Sequence, residues 1–324
     1  MSNDNELRHA QELGTRILGN LEKVIFGKRS VLELVITGLF SGGHILVEDV
    51  PGVGKTILAR SLAISTGCTF ARIQFTPDLL PGDITGVSVF DQKKNTFEFR
   101  PGPVFTQILL ADEINRATPK AQSALLEAMG ENQVSVDNVT RELPRPFFVI
   151  ATQNPIEYEG VYPLPESQMD RFLLHTGIGY PEMAVEESIL ERMQVEHPIE
   201  TLKPVATSEE ILRAQTAIRS VFVSHSVRMY LLGIIQATRN HNDLLLGASP
   251  RASLGLIRAA QASAALQGRN FVAPDDIKLL AGSVLTHRLI LSPEARMSNI
   301  SGSMVIHEIL DNVRAPLRDE TVKH

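Results

Sequence analysis

The chain has 324 residues, enough for about two domains with a buried core, and its 43% hydrophobic and 21% charged residues exclude a disordered chain. A net charge of -6 gives no global attraction for nucleic acid or anionic lipid, so any polyanion site must be local. A single cysteine, Cys68, cannot form an internal disulfide and reads as core packing. Residues 1–10 lack the apolar stretch of a secretory signal, and Glu33, Gly42, Gly43 and His44 interrupt the most apolar neighbourhood, 32–47. The expectation is a soluble, cytoplasmic protein without membrane insertion.

Apolar residues at helical spacing over 5–24 and 28–40, split by Gly27, predict two leading helices. Short apolar runs at 44–47, 70–75, 107–111, 147–151 and 172–176 then alternate with helical stretches, the pattern of a parallel sheet covered by helices. Two hairpins interrupt this half: 87–90 with 96–99 around a tip at 91–95, and 133–136 with 140–143 around Asp137-Asn138. After Gly179-Tyr180-Pro181 the strand runs stop, and 181–197, 208–219, 226–240, 250–266 and 274–286 read as helices. Ser208 ahead of Glu209 and Glu210, and Pro274 ahead of Asp275 and Asp276, look like helix starts. The expected organisation is an α/β domain over 1–180 followed by a smaller α-helical domain over 181–324.

The chemistry begins at the end of the first strand. There Glu48-Asp49-Val50-Pro51-Gly52-Val53-Gly54-Lys55-Thr56 leads into the helical Ile57-Leu58-Ala59-Arg60. Glycines let backbone N–H groups approach phosphates, and the helix N-terminus adds the positive end of a dipole, so this strand–loop–helix context suits a phosphate-binding loop. Lys55 is placed to reach the β- and γ-phosphates, and Thr56 to put its hydroxyl on Mg²⁺. The strict motif has glycine where this chain has Asp49, which leaves the upstream turn open.

A second apolar run, Ile108-Leu109-Leu110-Ala111, ends in Asp112-Glu113. Strand alternation points the two carboxylates differently, so Asp112 can support Mg²⁺ while Glu113 polarises an attacking water. A third run ends in Asn154, which can orient water near the γ-phosphate, although Asn before Pro155 is also ordinary turn chemistry. Arg171 immediately precedes a strand run and Arg251 opens a helix; taken alone, each reads better as a surface ion pair. The nine histidines, among them His44, His175, His225 and His287, show no paired metal-ligand spacing and read as core or surface residues.

This ordered set of motifs resembles the AAA+ ATPases and, within them, the MoxR family. Stretches that carry the resemblance include the phosphate loop, 75–83 (Phe-Thr-Pro-Asp-Leu-Leu-Pro-Gly-Asp), 100–105 (Arg-Pro-Gly-Pro-Val-Phe), 111–117 (Ala-Asp-Glu-Ile-Asn-Arg-Ala) and 122–129 (Gln-Ser-Ala-Leu-Leu-Glu-Ala-Met). The resemblance runs from about residue 22 to 289. It implies a P-loop core with a five-stranded parallel sheet and β-hairpin insertions, a helical lid, ATP with Mg²⁺, and a ring, usually a hexamer, with nucleotide between neighbours. It also implies nucleotide contacts from Val50, Pro51, Gly52, Val53, Gly54, Lys55, Thr56 and Ile57, and an adenine pocket along Val24, Ile25, Phe26 and Gly27. Asn154 becomes sensor 1, Arg171 an arginine finger acting on the neighbour's ATP, and Arg251 sensor 2 acting from the lid of its own subunit.

What the ring acts on is less determined. In DNA-translocating relatives the hairpins carry basic tips, whereas here one tip has Lys93 and Lys94 and the other Asp137, so a nucleic-acid motor is disfavoured. The favoured expectation is ATP-driven, chaperone-like remodelling of a partner protein, often one with a von Willebrand factor A domain, supplied here as a separate chain. The alternatives are the motor subunit of a metal chelatase and a nucleotide-dependent switch with little turnover, the latter opposed by Glu113 and Arg171 together.

Overall fold

The computed structural model describes residues 2–155, 161–193 and 198–316. Two helices, α1 (Ser2–Leu21) and α2 (Arg29–Phe40), lead into β1 (Ile45–Glu48), α3 (Lys55–Thr66) and β2 (Phe70–Gln74). A short α4 (Pro81–Thr85) precedes a hairpin of β3 (Gly86–Asp91) and β4 (Thr96–Pro101). Then come β5 (Ile108–Asp112), α5 (Pro119–Glu131), a second hairpin of β6 (Gln133–Val136) and β7 (Val139–Glu142), β8 (Phe148–Gln153), α6 (Glu166–Met169) and β9 (Leu174–Thr176). The remaining elements are α7 (Met183–Met193), α8 (Ser208–Ile218), α9 (His225–Arg239), β10 (Leu244–Leu246), α10 (Pro250–Leu266), α11 (Pro274–Leu285), β11 (Ile290–Leu291), α12 (Pro293–Met297) and α13 (Gly302–Asn312).

The central sheet has five strands in the order β2-β5-β8-β1-β9, every neighbouring pair parallel. Its inner strands β5, β8 and β1 are near-continuous apolar runs because both their faces are covered, whereas the edge strands β2 and β9 carry polar residues. Alternation divides them cleanly. Ile45, Val47, Ile108, Leu110, Phe148 and Ile150 face a core shared with α1, α2, α3 and the lid helices. Leu46, Leu109, Ala111, Val149 and Ala151 face a second core built on α5 and the segment around Ile84 and Val104.

The hairpins lie where the sequence places them. At the second tip, Asp137 and Asn138 both take left-handed φ values of 53° and 60°, as a tight two-residue hairpin turn requires. At the first tip Lys94 is paired with Glu98 and with Asp91, while Lys93 is exposed beside it.

Three expectations are adjusted. The strand pattern does not stop at residue 181, since β10 and β11 form a small antiparallel pair within the lid; at three and two residues they are too short for a period-2 signal. Helix α8 is capped one residue earlier than its acidic start suggests. Thr207 accepts the N–H of Glu210 at 3.2 Å while Glu210 accepts the N–H of Thr207 at 2.8 Å, a reciprocal box. The leading helices also belong to both halves, because α1 packs on α8 and α10 as well as on α3. Of the helix expected over 181–197, positions 194–197 lie outside the described residues.

Candidate functional site

The phosphate loop follows β1 directly. Gly52 and Gly54 hold φ values of +87° and +93°, which only glycine adopts freely, and open space stands where a Cβ would be. Gly54 is the N-cap of α3 and supplies no side-chain bond, so the first-turn amides at Lys55, Thr56 and Ile57 have no side-chain cap. Uncapped amides, an open glycine cradle and Lys55 at the first helical position fit a nucleotide's phosphates. Val50, Pro51 and Val53 complete the loop, with Val53 packed on the underlying core.

Asp49, the departure from the strict motif, is built into this loop. Its Oδ2 accepts the backbone N–H groups of Ile178 and Gly179, both at 2.6 Å, and its Oδ1 accepts that of Val50 at 2.8 Å. Lys55 Nζ donates to the Asp49 carbonyl at 2.7 Å. The carboxylate therefore fastens the loop to the segment that leaves β9 for the lid. The segment 24–28 reaches the same place, because Lys28 Nζ donates to the Tyr180 carbonyl at 2.8 Å. Gly27 packs so closely on Val185 of α7 that a Cβ would come within 2.9 Å of that side chain. Ile25 packs on the core beside α1, and Phe26 lies between it and Gly27 on the half-exposed turn.

Both strand-end carboxylates are held. Asp112 is 8% exposed; its Oδ1 accepts the Thr152 hydroxyl at 2.6 Å and its Oδ2 accepts Arg72 Nη2 at 2.7 Å. Glu113 breaks from the strand with a left-handed φ of 56°, and its Oε2 accepts Gln74 Nε2 at 2.6 Å and Arg116 Nη1 at 2.9 Å. Thr152 also accepts the Glu113 N–H at 2.8 Å, so one hydroxyl sets both acids. Asn154 is buried just beyond β8, the strand beside β5. Thr56 and Asp112 offer a hydroxyl and a carboxylate, hard oxygen donors of the kind Mg²⁺ takes.

Arg171 and Arg251 stand elsewhere. Leu173 N–H donates to His44 O at 2.8 Å at the start of β1, whereas Ile178 N–H meets Asp49 beyond its end. The residues between them amount to about 16 Å of extended chain, longer than an arginine side chain spans. Arg171 lies at the His44 end, where its Nη1 donates to the Leu126 carbonyl at 2.8 Å. Arg251 lies at the same end, exposed on the first turn of α10, whose capping residue Ser249 donates to Asp170 Oδ2 at 3.2 Å. The resemblance implies that Arg251 serves its own subunit; in this structure its helix begins beside Arg171, at the end of the sheet away from the phosphate loop.

Sequence reasoning passes over Arg72, Gln74, Thr152, Asp170 and Arg288. Thr152 and Asp170 adjoin motif residues and carry that much signal; Arg72, Gln74 and Arg288 carry none, since each acts through a tertiary contact.

A glycine loop between strand and helix, acids at the end of a central strand, this strand order and a following helical lid define a P-loop ATPase core of the AAA+ class. The profile of the ATPase family associated with various cellular activities (AAA) matches residues 44–174, and that of the AAA lid domain matches 236–309. The chain is 49% identical to the uncharacterized protein YeaC of Bacillus subtilis, over 94% of this chain and 95% of that one. It is 44% identical to Chaperone MoxR1 of Mycobacterium tuberculosis, over 93% and 82%. The crystal structure of a candidate ATPase from Cytophaga hutchinsonii superposes with a TM-score of 0.91 at 37% identity, covering 98% of each chain. This chain belongs to the MoxR family of AAA+ ATPases.

Proposed function

We propose that this protein is a Mg²⁺-dependent ATP hydrolase working as a closed, cytoplasmic homo-oligomeric ring, six-membered by the AAA+ resemblance, with residues 1–180 as core and 181–324 as lid. The observation that carries this reading is the placement of Arg171 and Arg251 at the end of the sheet away from their own phosphate loop. That placement favours arginines that act on the ATP of another copy.

In this reading the α3 amides and Lys55 bind the phosphates, and Ile25, Phe26 and Gly27 line the base pocket. Thr56 and Asp112 would hold Mg²⁺, which would neutralise phosphate charge. Glu113 polarises the attacking water and accepts its proton, and Asn154 orients that water. Arg171 and Arg251 of a neighbour stabilise the charge that spreads over the γ-phosphoryl oxygens, a contribution of about 10³ to 10⁵ in rate for fingers supplied in trans. The turnover drives chaperone-like remodelling or maturation of a separate partner protein, such as one carrying a von Willebrand factor A domain. Kinship to a protein named as a chaperone supports that reading, and at the hairpin tips Lys94 is paired with Glu98 while Asp137 stands on the other, which disfavours nucleic acid.

The test is steady-state Mg²⁺-ATP hydrolysis per chain as a function of protein concentration, with size measured alongside. A rate that rises as rings assemble and collapses in Glu113→Gln supports the reading. A monomer that hydrolyses ATP at full rate removes the ring from it.

A further inference from the structure

Arg288 is an arginine in an unusual position. It ends the 3₁₀ turn Thr286–Arg288 after α11, its side chain is 3% exposed, and it crosses from the lid to the end of the sheet where Arg171 and Arg251 stand. A guanidinium carries five N–H donors in a fixed plane. Here all are directed to acceptors: Nε to Asp170 Oδ1 at 2.7 Å, Nη1 to the carbonyls of Leu173 at 3.2 Å and of Val284, and Nη2 to those of Phe172 at 2.5 Å and Asp170 at 3.4 Å.

Burying a charge this completely costs several kcal/mol unless it is paired and fully hydrogen-bonded. Simple lid docking could use apolar contacts, which are already extensive on this face. The acceptors follow a pattern instead. All but Val284 belong to 170–173, the residues that carry Arg171 into β9. Asp170 is also shared: its other oxygen takes the hydroxyl of Ser249, which caps α10 two residues ahead of Arg251. One carboxylate thus lies between the backbone of Arg171 and the cap beneath Arg251, and Arg288 fixes that carboxylate. The neighbouring His287 adds a contact to the same segment through Nε2 and Phe172 O at 3.1 Å.

We propose that Arg288 is a positioning residue for the arginines handed to the neighbour: through Asp170 it sets Arg171 and Arg251 at one separation, so core and lid reach the next subunit's ATP as a unit. The proposal rests on the reading that these arginines act in trans. It assigns Arg288 no contact with nucleotide and no part in its own subunit's site, which lies at the other end of the sheet. Loss of Arg288 therefore damages a subunit as a donor and leaves it intact as an acceptor.

That asymmetry supplies the test. Arg288→Lys keeps the charge but offers three donors in place of five and no planar fork. Homogeneous Arg288→Lys rings are expected to bind a fluorescent ATP analogue within about twofold of the parent while turnover falls about 10²-fold, the effect of a misplacement near 1 Å. Mixing them with Glu113→Gln chains, which donate intact arginines but cannot hydrolyse, should restore turnover. Asp170→Asn, which retains the shape of the side chain, should behave in the same way and serves if the lysine variant does not fold.

The proposal is overturned if Arg288→Lys turns over like the parent, if it loses ATP binding, or if mixing fails to restore it. A mixture of Arg171→Ala with Glu113→Gln separates the two levels. If that mixture is also inactive, the neighbour reading itself fails. If it is active while the Arg288→Lys mixture is dead, only the positioning role fails.

Discussion

The carboxylate of Asp49 accepts the backbone N–H of Gly179 at 2.6 Å, so the phosphate loop is tied to the segment that leads into the lid. Because the same carboxylate also takes Ile178 and Val50, the residue that departs from the strict motif anchors the loop. Asp49→Gly, which restores the strict motif, is expected to lower stability by about 3 kcal/mol, as losing charged hydrogen bonds at a largely buried site does. It should also weaken ATP binding. Thermal melts and fluorescent-nucleotide titration measure both; an unchanged affinity would contradict the anchoring role.

Thr152 donates its hydroxyl to Asp112 and accepts the amide of Glu113. Thr152→Val keeps the volume but leaves a buried amide unpaired and frees a carboxylate oxygen, at a cost of about 1–3 kcal/mol. The concentration of Mg²⁺ needed for half-maximal ATP hydrolysis should rise severalfold. A Mg²⁺ titration that overlays the parent would show that Thr152 does not orient the acid.

Gly130 lies on α5 beneath the guanidinium of Arg171, and an added Cβ would fall 2.1 Å from Nη1. Glycine to alanine within a helix ordinarily stabilises by about 0.5–1 kcal/mol. Gly130→Ala should therefore melt no lower than the parent, since the displaced atom is the end of a flexible chain, yet turn over ATP severalfold more slowly. Equal turnover would mean that the perch of Arg171 on Leu126 is irrelevant to its action.

His44 is buried between Val149 N–H, accepted at Nδ1, and the Met129 carbonyl, bonded at Nε2. Burial pulls its pKa down from 6.5 to about 4. Between those values the unfolded chain binds a proton that the folded chain does not, so stability is retained above pH 6.5 and falls as pH drops through the window. The loss amounts to about 3 kcal/mol by pH 4 at 1.36 kcal/mol per unit. Buried His287, also lowered, adds in the same direction. Denaturant melts from pH 7 to pH 4.5 should show the decline and a shallower one in His44→Asn.

Local patterns made the fold legible. The central strands β1, β5 and β8 are apolar runs, and Pro250–Leu266 begins and ends where its proline and periodicity indicate. The loop, Asp112 and Glu113 could be read because their chemistry is contiguous in sequence. Arg72 and Arg288 could not, because they meet Asp112 and Asp170 at separations of 40 and 118 residues. The position of Arg251 follows from how the lid seats on the sheet, and no spacing within 181–324 encodes that. Helix α13 has a serine cap and a buried Val305–Ile306–Ile309 face, but its apolar stripe is too short to signal a helix by periodicity.

If each ATP is completed by a neighbour's arginines, two inactive variants should rescue one another when mixed. Glu113→Gln chains lack the base but donate Arg171; Arg171→Ala chains keep the base but donate nothing. Equal amounts, co-assembled at random into closed rings, should hydrolyse Mg²⁺-ATP at about a quarter of the parental rate per chain, the chance that an intact base sits beside an intact donor. A mixture no more active than either variant alone would mean that each subunit completes its own site.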